Sequence, residues 1–204
     1  MIAIIDYGAG NLQSVEKAFR FLGCEAKVTG NKDELLRADA AVLPGVGSFG
    51  DSMECLIKSG LVGPTVEFIG SGRPFLGICL GLQLLFEESE ESPRVKGLGV
   101  LKGKICKIPA ADGLKIPHIG WNSLDVKKPG GLFRDLPENP YVYFVHSYYL
   151  RADDRDVVSS QTRYGAAIDA SVQRGNLFAT QFHPEKSGET GLKMLRNFAS
   201  EWKE

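Results

Sequence analysis

A cysteine between two glycines, at the end of one apolar run and the start of another, carries the most chemical content in this sequence. Gly77-Ile78-Cys79-Leu80-Gly81 follows a strand-like stretch at residues 74–78 and leads into an apolar helical pattern at residues 80–86. That is the form of a nucleophile elbow with cysteine in place of serine. The chain must turn sharply here, and glycines on both sides of the nucleophile leave room for the turn. The turn lifts the sulfur out of the sheet and sets it at a helix N-terminus, where partial positive charge favours a thiolate. A buried structural cysteine is the competing reading of these five residues alone.

A cysteine nucleophile needs a base, and the chain holds only three histidines, His118, His146 and His183. His183 follows the apolar run 177–182, which puts it at a strand end. Glu185 lies two residues on, across Pro184. In extended chain, residues i and i+2 point the same way, so the carboxylate is placed to hold the imidazole from behind. A surface loop with a solvated Glu185 is the alternative. Pro44-Gly45-Val46-Gly47 ends a further short apolar run at residues 40–43. Attack on an amide makes a tetrahedral oxyanion that wants preorganised backbone N–H donors. Leu80, just after the nucleophile, supplies one candidate; the glycine-rich loop, at Val46 and Gly47, supplies the second. Taken by itself, the loop also reads as an ordinary tight turn.

These residues need a scaffold. Residues 1–5 are strand-like, the turn Gly8-Ala9-Gly10-Asn11 follows, and Leu12, Val15, Phe19 and Leu22 mark one face of a helix. Strands separated by helices in this first half predict a parallel sheet with right-handed crossovers. In the second half, strand-like runs at 98–108, 141–145, 157–161, 167–172 and 177–182 are joined by short turns, which predicts antiparallel additions. A closing helix from about Thr190 carries Leu192, Leu195, Phe198 and Trp202 on one face. The expectation is one three-layer α/β domain over residues 1–204, with a mainly parallel central sheet and ligands at the carboxyl ends of its parallel strands.

Composition narrows the classes. Charged side chains nearly cancel, 24 basic against 25 acidic, with no basic block to suggest a nucleic-acid or anionic-membrane partner. No apolar stretch approaches the roughly 20 residues of a membrane span. The opening run Met1-Ile2-Ala3-Ile4-Ile5 is too short for a signal peptide and lacks a basic start. Cys24, Cys55, Cys79 and Cys106 are scattered without CxxC spacing, which argues against zinc or a disulfide framework and for reduced thiols in a cytoplasm.

The glycine-rich strand end, the G-x-C-x-G elbow and Phe182-His183-Pro184-Glu185 together resemble the class I (triad-type) glutamine amidotransferases, across essentially the whole chain. Asp6-Tyr7-Gly8-Ala9-Gly10-Asn11-Leu12, Pro117-His118-Ile119-Gly120-Trp121-Asn122 and Phe144-Val145-His146-Ser147-Tyr148 are similar to the glutaminase subunits of imidazole glycerol phosphate synthase. Ile119 and Leu82 stand where methionine is common in that family, apolar swaps of similar size. The resemblance implies a flavodoxin-like three-layer fold and a Cys79–His183–Glu185 triad that hydrolyses L-glutamine without a metal or organic cofactor. It assigns Gln83, Glu91, His146, Ser147 and Tyr148 to the glutamine pocket. Without it, Gln83 and Glu91 would be taken for solvated residues. It further implies a heterodimer with a (β/α)8 cyclase subunit. That subunit uses the ammonia to make imidazole glycerol phosphate and aminoimidazole carboxamide ribonucleotide in histidine biosynthesis. Asn11, His118, Trp121 and Lys186 are the residues expected to face the cyclase.

Three rivals remain at this level. One is a glutaminase serving another acceptor, in anthranilate, aminodeoxychorismate or pyridoxal phosphate synthesis, against which the 6–12 and 117–122 segments argue. Another is a degenerate regulatory module, against which intact Cys79, His183 and Glu185 argue. The third is a cysteine hydrolase or peptidase that works without a partner.

Overall fold

Strands that are buried at every position need cover on both faces, and four such strands form the middle of this protein. The computed structural model describes residues 1–201; Trp202, expected on the closing helix, lies outside them. The first half alternates strand and helix: β1 (Ile2–Ile5), α1 (Leu12–Phe21), β2 (Ala26–Thr29), α2 (Lys32–Arg37), β3 (Ala40–Gly45), α3 (Phe49–Lys58), α4 (Val62–Gly70), β4 (Phe75–Cys79) and α5 (Leu80–Leu84). The second half is mostly strand: β5 (Glu88–Ser89), β6 (Gly103–Lys107), β7 (His118–Ser123), β8 (Asp125–Val126), β9 (Tyr141–His146), β10 (Tyr148–Ala152), β11 (Val158–Tyr164), β12 (Ala166–Arg174) and β13 (Leu177–Thr180), closed by α6 (Gly188–Ser200).

The main sheet runs β2-β1-β3-β4-β13-β12-β10-β6-β5, with β11 joining β12 to β8. Pairing is parallel from β2 through β4 and on to β13, then antiparallel through β12, β10 and β6. This is the mainly parallel sheet with antiparallel additions that the sequence predicts. Side chains alternate across it. Ala3, Ile5, Ala41 and Leu43 pack with α2, α3 and α4 on one face, while Ile2, Ile4, Ala40 and Val42 pack with α1 and α6 on the other. Helix, sheet and helix make the three layers. No helix among the described residues is long and apolar enough to cross a membrane.

The strand expected over 98–108 is shorter in the structure. Gly99 and Gly103 take positive φ, and residues 98–101 fold back instead: Leu98 N–H bonds the Leu84 carbonyl at 2.8 Å and Leu101 N–H that of Leu85 at 3.0 Å. A second departure matters more for the site. The 177–182 run lies in the antiparallel half of the chain, yet β13 slots beside β4 in parallel, with Thr180 level with Ile78. The carboxyl ends of β3, β4 and β13 therefore lie side by side at one end of the central strands.

Candidate active site

Local backbone puts Cys79 at that end of the sheet. It caps α5 with φ of 54°, a conformation that L residues seldom adopt, in the manner of a strained elbow. Both flanking glycines are required by contact. A Cβ on Gly81 would sit 1.8 Å from the Leu43 carbonyl oxygen, and one on Gly77 would sit 2.9 Å from that of Gly81. Cys79 opens into a cavity of about 360 Å³, which Val46, Gly47, Leu80, Gln83, Glu91 and His183 help to line. The turn of Val145, His146, Ser147 and Tyr148 closes one side, and Pro117 and Lys186 complete it.

His183 leaves β13 and is held by its backbone, its N–H donating to the Tyr143 carbonyl at 3.0 Å. Its Nδ1 lies 2.8 Å from Glu185 Oε1, and both side chains are buried. With Nδ1 so engaged, Nε2 is the nitrogen left for the sulfur. Burial works against a charge on this ring, but hydrogen-bond contact with Cys79 and with Glu185, and the charges of both, outweigh it and raise His183 to about 10. An imidazolium is thus favoured where a departing amine needs an acid.

The other two histidines are hydrogen-bonded to each other. His146 Nδ1 donates to the Tyr148 carbonyl at 2.9 Å, which leaves Nε2 to accept from His118 Nδ1 at 3.0 Å. Burial pushes His146 down to about 3 and His118 to about 4. His146 lines the cavity with both nitrogens engaged, so it is poorly placed to move protons. His118 corrects an expectation: predicted to face a partner, it is 3% exposed, its ring stacked between Phe144 and Tyr164. Its neighbours point the other way, Ile119 being 59% and Trp121 56% exposed, as alternation along β7 requires. Lys186 is exposed at the cavity rim, and Asn11 is half-buried before α1.

Gln83 is buried and lines the cavity, as does Glu91, whose Oε2 accepts from the Phe49 N–H at the start of α3 at 2.7 Å. Of the expected 44–47 loop, Gly45 ends β3 level with Cys79 and is not a free pivot: a Cβ there would lie 2.8 Å from both Leu80 Cβ and the Tyr7 hydroxyl. Gly47 has open space and φ of 92°, so the loop's freedom sits there. Motif reasoning missed Gln181, whose Nε2 lies 3.7 Å from the Cys79 sulfur. It missed also Tyr7, whose hydroxyl donates to the Pro44 carbonyl at 2.9 Å. Among the described residues, no group of three or more His, Cys, Asp or Glu side chains is placed to hold a metal ion.

A family model described as glutamine amidotransferase class-I matches residues 3–202. The imidazole glycerol phosphate synthase subunit HisH of Caldanaerobacter subterraneus subsp. tengcongensis is 50% identical over 198 residues, spanning 97% of each chain. The chain belongs to the HisH family of class-I glutamine amidotransferases. The subunit of the same name from Moorella thermoacetica is 51% identical over 197 residues, 97% of this chain and 93% of that one. Among solved structures, PurLQS from Thermotoga maritima superposes with a TM-score of 0.77 over 98% of this chain and 97% of that chain. At 22% identity that likeness speaks for the fold alone.

Proposed function

We propose that this chain hydrolyses L-glutamine to L-glutamate and ammonia at the Cys79 pocket and passes the ammonia to a (β/α)8 cyclase subunit, its partner in a heterodimeric imidazole glycerol phosphate synthase. One arrangement carries the site: His183 and Cys79 line the same cavity, with Glu185 Oε1 2.8 Å from His183 Nδ1, while His146 and His118 are hydrogen-bonded to each other. The Cys79 sulfur attacks the side-chain amide carbon, and the oxyanion is met by backbone N–H groups at Leu80 and at Val46 or Gly47. As the C–N bond breaks, Nε2 of His183 gives its proton to the leaving amine, releasing ammonia. Water then attacks the glutamyl thioester, His183 takes its proton, and the C–S bond breaks to free glutamate and the thiolate. Glu185 holds the ring by Nδ1 through both halves.

The cavity walls from Gln83, Glu91 and the 146–148 turn are where the amino-acid end of glutamine belongs. The HisH name of the relatives supports the partner and the pathway. The family match over residues 3–202 supports one catalytic domain, and four free cysteines suit a reducing cytoplasm. The test is a complex with the cyclase subunit and its nucleotide substrate. Cys79→Ser should abolish glutamine-dependent turnover, yet added ammonium salt at alkaline pH should still feed the cyclase. Glutamine-dependent turnover that survives Cys79→Ser would remove this reading.

A further inference from the structure

Four polar groups form a chain of hydrogen bonds that can run in one direction only. The Tyr148 carbonyl accepts and cannot donate, so Gln83 turns its amide nitrogen towards it, Nε2 to oxygen 3.1 Å. The second hydrogen of the same Nε2 goes to Gln181 Oε1, also at 3.1 Å. With its oxygen engaged, Gln181 presents its own Nε2 to the Cys79 sulfur at 3.7 Å. Gln181 is 0% exposed, and its backbone N–H is fixed to the Ala170 carbonyl at 2.8 Å. The orientation of the amide at the sulfur is therefore set two hydrogen bonds away, in the turn that lines the glutamine pocket.

We infer that Gln181 is a further catalytic residue: a buried, uncharged donor that holds the Cys79 sulfur as a thiolate and aims it into the cavity, its direction set by Gln83. This rests on Cys79 being the nucleophile. A donor to an ionised acceptor is stronger than one to a neutral acceptor, so the bond favours thiolate over thiol. It serves twice, first as the free thiolate waits for glutamine and again as sulfur leaves the thioester. A second cation in place of Gln181 would compete with His183 for the proton; an amide does not.

Other ionisable groups face this sulfur. His183, at the end of β13 with Glu185 behind it, His146 from β9, Glu91 and Lys186 line the cavity with Cys79, and Tyr7 comes from the turn after β1. Only His183 among the three histidines is favoured as a cation, so a change in the donor should appear on top of the His183 effect, not in place of it.

The test is the pH dependence of Cys79 alkylation by iodoacetamide in the full chain, followed by peptide mapping so that Cys24, Cys55 and Cys106 are counted apart. Gln181→Met keeps the volume and removes the donor. Its alkylation profile should move upward by about one pH unit, with a rate up to roughly tenfold lower on the acid side. Gln83→Met leaves Gln181 in place but frees its amide, so a smaller shift in the same direction is expected, and this variant decides the matter if Gln181→Met does not fold. Profiles superimposable on the parent in a folded variant would overturn the role. That outcome is separable from failure of the nucleophile assignment, which is read from glutamine turnover in Cys79→Ser and not from alkylation.

Discussion

Replacing His183 by alanine is expected to lower glutamine turnover in the assembled complex by roughly three to four orders of magnitude, the range of a positioned acid–base group that serves both half-reactions. The variant loses the acid for the departing amine, the base for the incoming water and the partner of the Cys79 sulfur. Glu185→Gln should cost less, because the imidazole remains but loses the carboxylate 2.8 Å from Nδ1. Steady-state glutamate release measures both. Near-normal turnover in these two variants, with His146→Ala inactive instead, would show that the base is the wrong histidine. The hydrogen bonds argue against that result, since His146 has Nδ1 on the Tyr148 carbonyl and Nε2 on His118.

The second large effect is expected from the partner. The chain alone should hydrolyse glutamine slowly, faster with the cyclase and fastest with cyclase and its nucleotide ligand. A single oxyanion donor swinging into place contributes roughly a hundred- to a thousandfold. Gly47, with open space around it, is the position at which the loop can change. The 6–11 turn abuts this loop, since a Cβ on Gly10 would lie 3.3 Å from the Pro44 carbonyl oxygen. A second path leads to the base. Trp121 pairs across the β7–β9 ribbon with Tyr143, and the Tyr143 carbonyl accepts from the His183 N–H. Docking on the exposed Ile119 and Trp121 thus bears on the strand that holds His183. Trp121→Ala and Lys186→Ala should weaken activation while leaving Cys79 intact. Full-speed hydrolysis by the isolated chain would favour a hydrolase that needs no partner.

The nucleophile elbow was legible because its glycines are forced by contact, Gly81 against the Leu43 carbonyl above all, and such constraints leave a short local pattern. His183 was legible because it ends an apolar run. The neighbourhood of these two residues was not, since β13 reaches β4 only by crossing from the antiparallel half of the chain, a pairing no local pattern encodes. The buried amides are hard to read from local pattern for a related reason. Gln83 lies between Leu82 and Leu84 in a helix buried at every position, and Gln181 between Thr180 and Phe182. Apolar flanks on both sides were the available signal that these polar residues are interior and bonded to one another. His118 was placed with its whole motif, although period-2 alternation in β7 sends it inward while Ile119 and Trp121 face out.

The most direct measurement of the central claim is covalent trapping with a diazo-ketone analogue of glutamine, which enters the pocket as substrate and alkylates the attacking atom. Intact mass should show one adduct per chain, peptide mapping should place it on Cys79, and excess glutamine should protect. Cys24, Cys55 and Cys106 should stay unmodified, because none of them lines the cavity. An adduct on any other residue, or labelling that persists undiminished in Cys79→Ser, would contradict the account.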